Sequence, residues 1–201
     1  MRSGHFVAGL QPLTAEGEAA RRQKLESIRA DLTKVEAHQG IAQLTLLDQK
    51  LASLIEVLKR RLNNGELTQF RYLDAAQQVY LSAIDNLHEI YIALTSVGTI
   101  DRERIDQRLR ELRALGSQAA SAISQIDALS QSRTMLEQQT ARVETLFAQN
   151  EQAMTTLDHA ATALADARIN KGEANVDIDS ALLELERLAR RAGSYAKRTS
   201  K

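Results

Sequence analysis

The feature that most constrains this 201-residue chain is the absence of proline after Pro12. Proline ends or kinks helices because it lacks an N–H donor and its ring clashes with the preceding turn. The rest of the chain is rich in Ala, Leu, Gln, Arg and Glu, which lose least on entering a helix. Apolar residues recur every three or four positions along most of it. The sequence therefore predicts an all-α fold: an elongated helical bundle or coiled coil of about five helices, one of them very long.

Turn-forming residues set the expected ends of the first three helices, A to C. Helix A begins near Thr14, a residue type that caps helix N-termini. Gly40 is a weak break, so helices A and B are either two helices or one continuous rod. The sequence Asn-Asn-Gly at 63–65 ends helix B, and Gly98 ends helix C.

Helix D has no proline or strong break from about residue 101 to residue 168. An unbroken helix of that length would extend on the order of 100 Å. Gly116 and residues 130–133 are the expected bends. A polar break at 170–179 follows, and helix E then ends near residue 191.

These boundaries predict four segments. Residues 1–13 form a flexible arm, and 14–168 form an extended antiparallel bundle whose core spans 41–130. Residues 169–191 form a C-terminal helix, and 192–201 form a basic tail. We expect helices B, C and D to pack together, with A and E covering them or pairing with the distal part of D, because short isolated helices are marginal in water.

Four of the seven aromatic residues lie in helix C, namely Phe70, Tyr72, Tyr80 and Tyr91. The spacing places Tyr80 and Tyr91 on the main apolar face and Tyr72 on a second one. This pattern favours core packing at the thickest part of the bundle. A protein-contact face and a small-molecule site are the alternatives.

The distal part of helix D carries a strict seven-residue apolar series that is interrupted by a polar residue, Asn150. Such a residue either fixes the register of packed helices or marks an exposed face, and both interpretations stay open. Small residues at companion positions allow close approach of another helix, from this chain or from another copy. The candidate interaction residues on this helix are Asn150, Ala153, Leu157, Ala160 and Leu164.

The two chain ends supply further candidate contacts, with a partner or with a membrane surface: Phe6, Leu10, Arg190, Arg191, Lys197 and Arg198. Overall, 26 acidic and 26 basic residues balance, so no global field favours nucleic acid. No apolar run of about 18 residues occurs that could span a membrane. A cytoplasmic protein is expected, with a peripheral position at the inner membrane as the alternative.

One cluster invites a metal-site interpretation: Asp85, His88 and Glu89. Di-iron bundles need a Glu-x-x-His pair twice, and only one comparable pair occurs here. The chain has no cysteine, and its sequence contains no phosphate-binding loop and no HExxH motif. We therefore expect no enzyme activity, no cofactor and no metal site, with the metal-binding bundle kept as an alternative.

Residues 46–105, "LLDQKLASLIEVLKRRLNNGELTQFRYLDAAQQVYLSAIDNLHEIYIALTSVGTIDRERI", resemble bacterial helical proteins of toxic-anion (tellurite-type) resistance and envelope stress. The extended hairpin layout is also similar to the phage-shock protein A and ESCRT-III-like families. That resemblance implies a stress-response role, and in the phage-shock group an N-terminal helix contacts the membrane. It assigns no functional residue to this chain.

The leading hypothesis is a non-enzymatic coiled-coil scaffold or adaptor of the bacterial cytoplasm. It would act through self-association and through contacts with another helical protein, with rigid helices setting a distance between partners. The first alternative is a peripheral membrane-associated stress-response or membrane-remodelling oligomer, and the second is the metal-binding bundle.

Overall fold

A computed structural model describes residues 15–61, 67–114, 120–166 and 174–196. Every element in these ranges is an α-helix, and the all-α prediction is confirmed. The helices are α1 (Ala15–Lys34), α2 (His38–Arg61), α3 (Leu67–Val97), α4 (Arg102–Ala114), α5 (Ala120–Asp166) and α6 (Ala174–Ala196). None of the described helices is long and apolar enough to cross a membrane.

Helix α5 contacts every other described helix except α1. Side-chain contacts show that α2 runs parallel to it, since Gln43 bonds Glu151 and Lys50 bonds Asp158. Helix α3 runs antiparallel to α5 and packs on it along most of its length. Helix α6 packs on both α5 and α3, while α1 packs on α2 and α3.

Helices A and B are separate, and the chain reverses between them at residues 35–37 rather than at Gly40. The end of α1 is closed by backbone bonds from Glu36 N to Thr33 O and from Ala37 N to Leu32 O. This is the Schellman pattern, in which the residue after the helix adopts a left-handed conformation. Glu36 does so with φ of 54°.

Gly40 lies inside α2 and is buried. A methyl group at this position would lie 3.1 Å from Leu32 Cδ2. Glycine here therefore permits close approach of the end of α1 to α2, so its role is packing rather than termination.

Helix D is divided, and its two parts fold against each other. Asp106 of α4 pairs with Arg133 of α5 at 3.5 Å, so the two helices lie side by side. An unbroken helix would place these residues far apart, about 40 Å. The expected bend at Gly116 falls outside the described residues, whereas 130–133 are regular helix within α5. At 47 residues α5 still extends on the order of 70 Å.

The main core differs from the predicted span of 41–130. It is formed by α2, α3 and the second half of α5, with contributions from α1 and α6. The buried residues of α4, Ile105, Leu109 and Leu112, pack on α5 outside that core. Helix α4 contacts no other described helix. Together with residues 120–135 of α5, it forms a two-helix extension, which we call the hairpin extension.

Helix α6 also departs from the predicted boundaries. It begins at Ala174, inside the expected polar break, and continues to Ala196, inside the expected tail. Its stripe of Leu182, Leu185 and Ala189 is buried against the bundle. Docking of this stripe stabilises helix at both ends, where local composition alone favours a break.

Candidate interaction sites

The residues predicted to mediate self-association on distal helix D are buried inside their own chain. Asn150, Ala153, Leu157, Ala160 and Leu164 are all between 0% and 6% exposed. They face α2, α3 and α6, so this part of α5 pairs within the chain. The side chains are covered by those helices and are not available on the surface of the folded bundle.

Asn150 makes two hydrogen bonds to α3. Its Nδ2 donates to the backbone oxygen of Ala83 at 3.2 Å, and Asn86 Nδ2 donates to its Oδ1 at 3.0 Å. Of the two interpretations of this residue, register fixing and solvent exposure, the structure supports the first. Sliding α3 by one turn would leave a buried carboxamide without partners, at a cost of about 1–3 kcal/mol.

Gln43 of α2 extends the same layer of polar side chains. Its Nε2 donates to Glu151 Oε1 at 2.8 Å and to the backbone oxygen of Phe147 at 3.2 Å. Gln43 is only 2% exposed, and its Oε1 has no hydrogen-bond partner among the described protein atoms. Gln43 stands beside the apolar stripe of α2 and does not interrupt it, so its spacing gives no signal like that of Asn150. We call Gln43, Asn86, Asn150 and Glu151 the polar layer.

A second network joins α1, α2 and α3. The Arg21 guanidinium pairs with Asp48 and lies 5.5 Å from the centre of the Tyr80 ring. The Tyr80 hydroxyl donates to Asp48 at 3.4 Å. Burial raises the pKa of Tyr80 to about 12; the Arg21 cation opposes this rise, and the Asp48 carboxylate adds to it. The network holds α1 against the bundle, and burial keeps the phenol neutral.

The aromatic cluster divides between core and surface. Tyr72 and Tyr80 are buried, as core packing requires, and burial together with the Asp179 carboxylate raises the pKa of Tyr72. Tyr91 is half-buried. Phe70, in contrast, is 59% exposed, because it lies on the side of α3 that no other described helix covers.

Asp85, His88 and Glu89 do not converge on a common point. Asp85 pairs with Lys24 of α1 at 3.1 Å, and Glu89 pairs with Arg142 of α5. His88 is exposed beside Tyr91, with ring centres 6.3 Å apart. Within the described ranges, no group of three or more His, Cys, Asp or Glu side chains is placed to hold a metal ion.

The predicted basic end is described only in part. Arg190 and Arg191 are exposed on α6 and, with Arg187 and Leu183, line one shallow surface. Arg190 also pairs with Glu186 at 3.6 Å. The remaining predicted contacts at the chain ends, Phe6, Leu10, Lys197 and Arg198, lie outside the described residues.

Sequence reasoning did not anticipate the hairpin extension. The apolar stripe of α4 is visible in the sequence, but its folding back onto α5 is not. On the surface of the extension, Ile123 is 51% exposed and Met135 is 50% exposed. Among the residues described, these are the exposed large apolar side chains of the extension.

Comparisons with protein-family models, with curated proteins and with solved structures found no match for this chain. Its function is therefore argued from the geometry alone.

Proposed function

We propose that this protein is a non-enzymatic helical scaffold or adaptor that holds partners through helix–helix contacts. The observation that carries the proposal is the hairpin extension, in which α4 packs on α5 and on no other described helix. A two-helix rod of this kind exposes side chains around most of its circumference.

The bundle supplies a rigid base for the extension. Helix α5 runs without interruption from the extension into the core, where Leu157 and Leu164 are fully buried. The polar layer fixes the alignment of α5 with α2 and α3. A movement at the tip is therefore resisted by the whole bundle, which suits a protein that sets a distance.

The length of the extension gives the scale of that distance. Arg142 of α5 pairs with Glu89, and the α3–α5 alignment places the end of α3 near residue 136 of α5. About fifteen residues of α5 therefore lie beyond α3, or on the order of 20 Å. This is comparable to the width of two packed helices, enough to present a separate binding surface.

The test compares capture of partners by the full chain and by a chain without the extension. Residues 100–133 are replaced by a short glycine-containing linker, and both proteins are cross-linked in cells and analysed by mass spectrometry. We expect a reproducible partner that the full chain retains and the shortened chain loses.

Leu183→Glu is the matched control, because Leu183 is 57% exposed on α6, away from the extension. It should keep the partner. Equal recovery by the full and the shortened chain would contradict the role of the extension. Enzymatic turnover by the purified protein would contradict the non-enzymatic proposal.

A second candidate, a peripheral membrane-associated stress-response oligomer, is favoured by the basic surface of α6. Leu183 and Arg187 lie one turn apart with Arg190 and Arg191 on the same side, and no acidic residue occurs from 187 to 201. Cations of this kind attract anionic lipid at about 1 kcal/mol each.

Vesicle flotation tests this candidate, with phosphatidylcholine alone and with added phosphatidylglycerol. The membrane proposal expects binding only to the anionic vesicles and a large loss in Arg187→Glu/Arg190→Glu. Arg110→Glu/Arg113→Glu on α4 carries the same charge change and should bind as the parent does. No flotation of the parent chain would eliminate this candidate.

A further inference from the structure

The outward side of α3 carries an unusual concentration of exposed apolar side chains. Leu67, Phe70, Leu81 and Ile92 are 76%, 59%, 46% and 43% exposed. At 100° per residue they fall within an arc of about 60° on the helix. The buried residues of α3 occupy the opposite side. We call these four side chains and the polar residues between them the α3 outer stripe.

The central part of the α3 outer stripe, from Phe70 to Ile92, is nearly symmetric about Leu81. Phe70 and Ile92 each lie eleven residues from Leu81, and Asp74 and His88 each lie seven residues from it. Gln78 and Asp85 lie three and four residues away on the two sides. Phe70 therefore mirrors Ile92, and Asp74 mirrors His88, whereas Leu67 mirrors a polar residue, Thr95.

We propose that the α3 outer stripe is a two-fold docking surface on which α3 of a second copy packs antiparallel. A two-fold interface places residue i opposite residue j and j opposite i. With Leu81 on the axis, Leu81 meets Leu81 of the second copy and Phe70 meets Ile92. This inference rests on the proposed scaffold function and names the surface through which copies associate.

Charge supports a second copy in the antiparallel direction. Asp74 faces His88 of the other copy, and the amide of Gln78, which donates to Asp74 at 2.8 Å within α3, faces the carboxylate of Asp85. Asp85 already pairs with Lys24 at 3.1 Å, but a carboxylate accepts several hydrogen bonds. Parallel packing would instead place Asp74 on Asp74 and Asp85 on Asp85, and such like-charge contacts are unfavourable.

The chain contains no cysteine, so single cysteines report this contact directly. Leu81→Cys places a thiol on the two-fold axis, and we expect it to form a disulfide-linked dimer under mild oxidation. Leu183→Cys, exposed to a similar degree on α6, is the control. Because docking raises the local thiol concentration, Leu81→Cys should cross-link at least about tenfold faster than the control.

Direction is tested by mixing two further variants, Phe70→Cys and Ile92→Cys. Antiparallel docking predicts that the mixed 70–92 dimer forms in preference to 70–70 and 92–92 dimers. Preferred 70–70 and 92–92 dimers would show parallel packing and overturn the inference. So would a Leu81→Cys rate equal to that of Leu183→Cys.

Light scattering coupled to size exclusion separates this inference from the proposed function. Leu81→Glu should weaken the dimer at least about tenfold relative to Leu183→Glu, with the helical circular dichroism of both unchanged. A dimer that persists in Leu81→Glu overturns the α3 surface and leaves self-association standing. A monomer at all concentrations also overturns it, while capture of a partner by the hairpin extension would still support an adaptor. If Leu81→Cys cross-links as expected but the extension captures nothing, the α3 surface stands and the adaptor proposal fails.

Discussion

Individual polar side chains inside the bundle determine how its helices are aligned. Asn150 is 0% exposed and is satisfied by Ala83 and Asn86, both on α3. A leucine at this position would pack on α3 in more than one register, since apolar contacts are not directional. Hydrogen bonds have preferred distances and angles, so the polar layer selects one alignment.

Replacing Asn150 with alanine should lower the free energy of unfolding by about 2 kcal/mol, because two hydrogen bonds are lost and a small cavity remains. Denaturant titration measures the change. Gln152→Ala, on the exposed side of the same helix, is the control and should stay within about 0.5 kcal/mol of the parent. Equal stability of Asn150→Ala and Gln152→Ala would show that the hydrogen bonds to α3 contribute little.

The raised pKa of Tyr80 predicts that the protein loses stability at alkaline pH. Its pKa is raised from 10.0 to about 12 in the folded chain, so the unfolded chain releases the phenol proton first. The contribution of the Tyr80 phenol to the free energy of unfolding is fully present below pH 10. It is lost as the pH rises towards 12, by up to about 1.4 kcal/mol per pH unit. Unfolding titrations at pH 9, 10 and 11 should show a shallower decline in Tyr80→Phe than in the parent. If the unfolding free energies of the parent and of Tyr80→Phe fall equally with pH, Tyr80 has the same pKa in the folded and unfolded states.

At the scale of the elements, backbone geometry as well as side-chain pattern decides where helices end. The reversal after α1 depends on Glu36, which adopts the left-handed conformation that glycine usually supplies. Leu32 and Ala37 are both buried at the reversal, in the apolar contact that accompanies this type of helix end. Packing of these side chains therefore outweighs the backbone preference of Glu36.

Glu36→Gly should stabilise the protein by about 0.5–1 kcal/mol. It removes the penalty of a left-handed side-chain-bearing residue, and this gain exceeds the added flexibility of the unfolded chain. Ala30→Gly, at an exposed position within α1, provides the contrast and should destabilise by about 1 kcal/mol. Thermal and denaturant unfolding measure both, and losses of the same size in the two variants would refute the argument.

For the whole molecule, the main consequence of the fold is a division between a bundle and the hairpin extension. The core contains none of the buried residues of α4, and Ala122 at the start of α5 is also outside it. Helix α5 belongs to both parts, so the extension is fixed to the bundle by a continuous backbone. The bundle should therefore fold without the hairpin extension. It does not follow that the hairpin extension folds without the bundle.

Replacing residues 100–133 with a short glycine-containing linker should leave the unfolding free energy of the bundle within about 1 kcal/mol of the parent. The reason is that the deleted residues lie outside the main core. Thermal unfolding followed by circular dichroism measures this. Leu157→Ala in the parent is the comparison, with an expected loss of about 2–5 kcal/mol. A collapse of the shortened chain similar to that of Leu157→Ala would mean that the two parts fold as one unit.

Helix content and most helix boundaries could be predicted from the sequence, because propensity, capping and apolar spacing act over a few residues. The same local pattern marked Asn150 as unusual and placed Tyr80 on a buried face. It could not predict that α4 folds back onto α5 or that α6 continues past its expected ends, because those outcomes depend on which distant surface each helix covers.

The sequence by itself determined that this chain is helical, which sides of its helices are apolar and where most of the breaks fall. Only the tertiary structure decided that the face of Asn150, Leu157 and Leu164 is covered by the chain's own α2, α3 and α6. It also showed that Phe70 and Leu81 remain exposed on the surface of α3. The physical reason is that burial depends on the competition among all faces for all partners, and a periodic pattern specifies a face without specifying its partner.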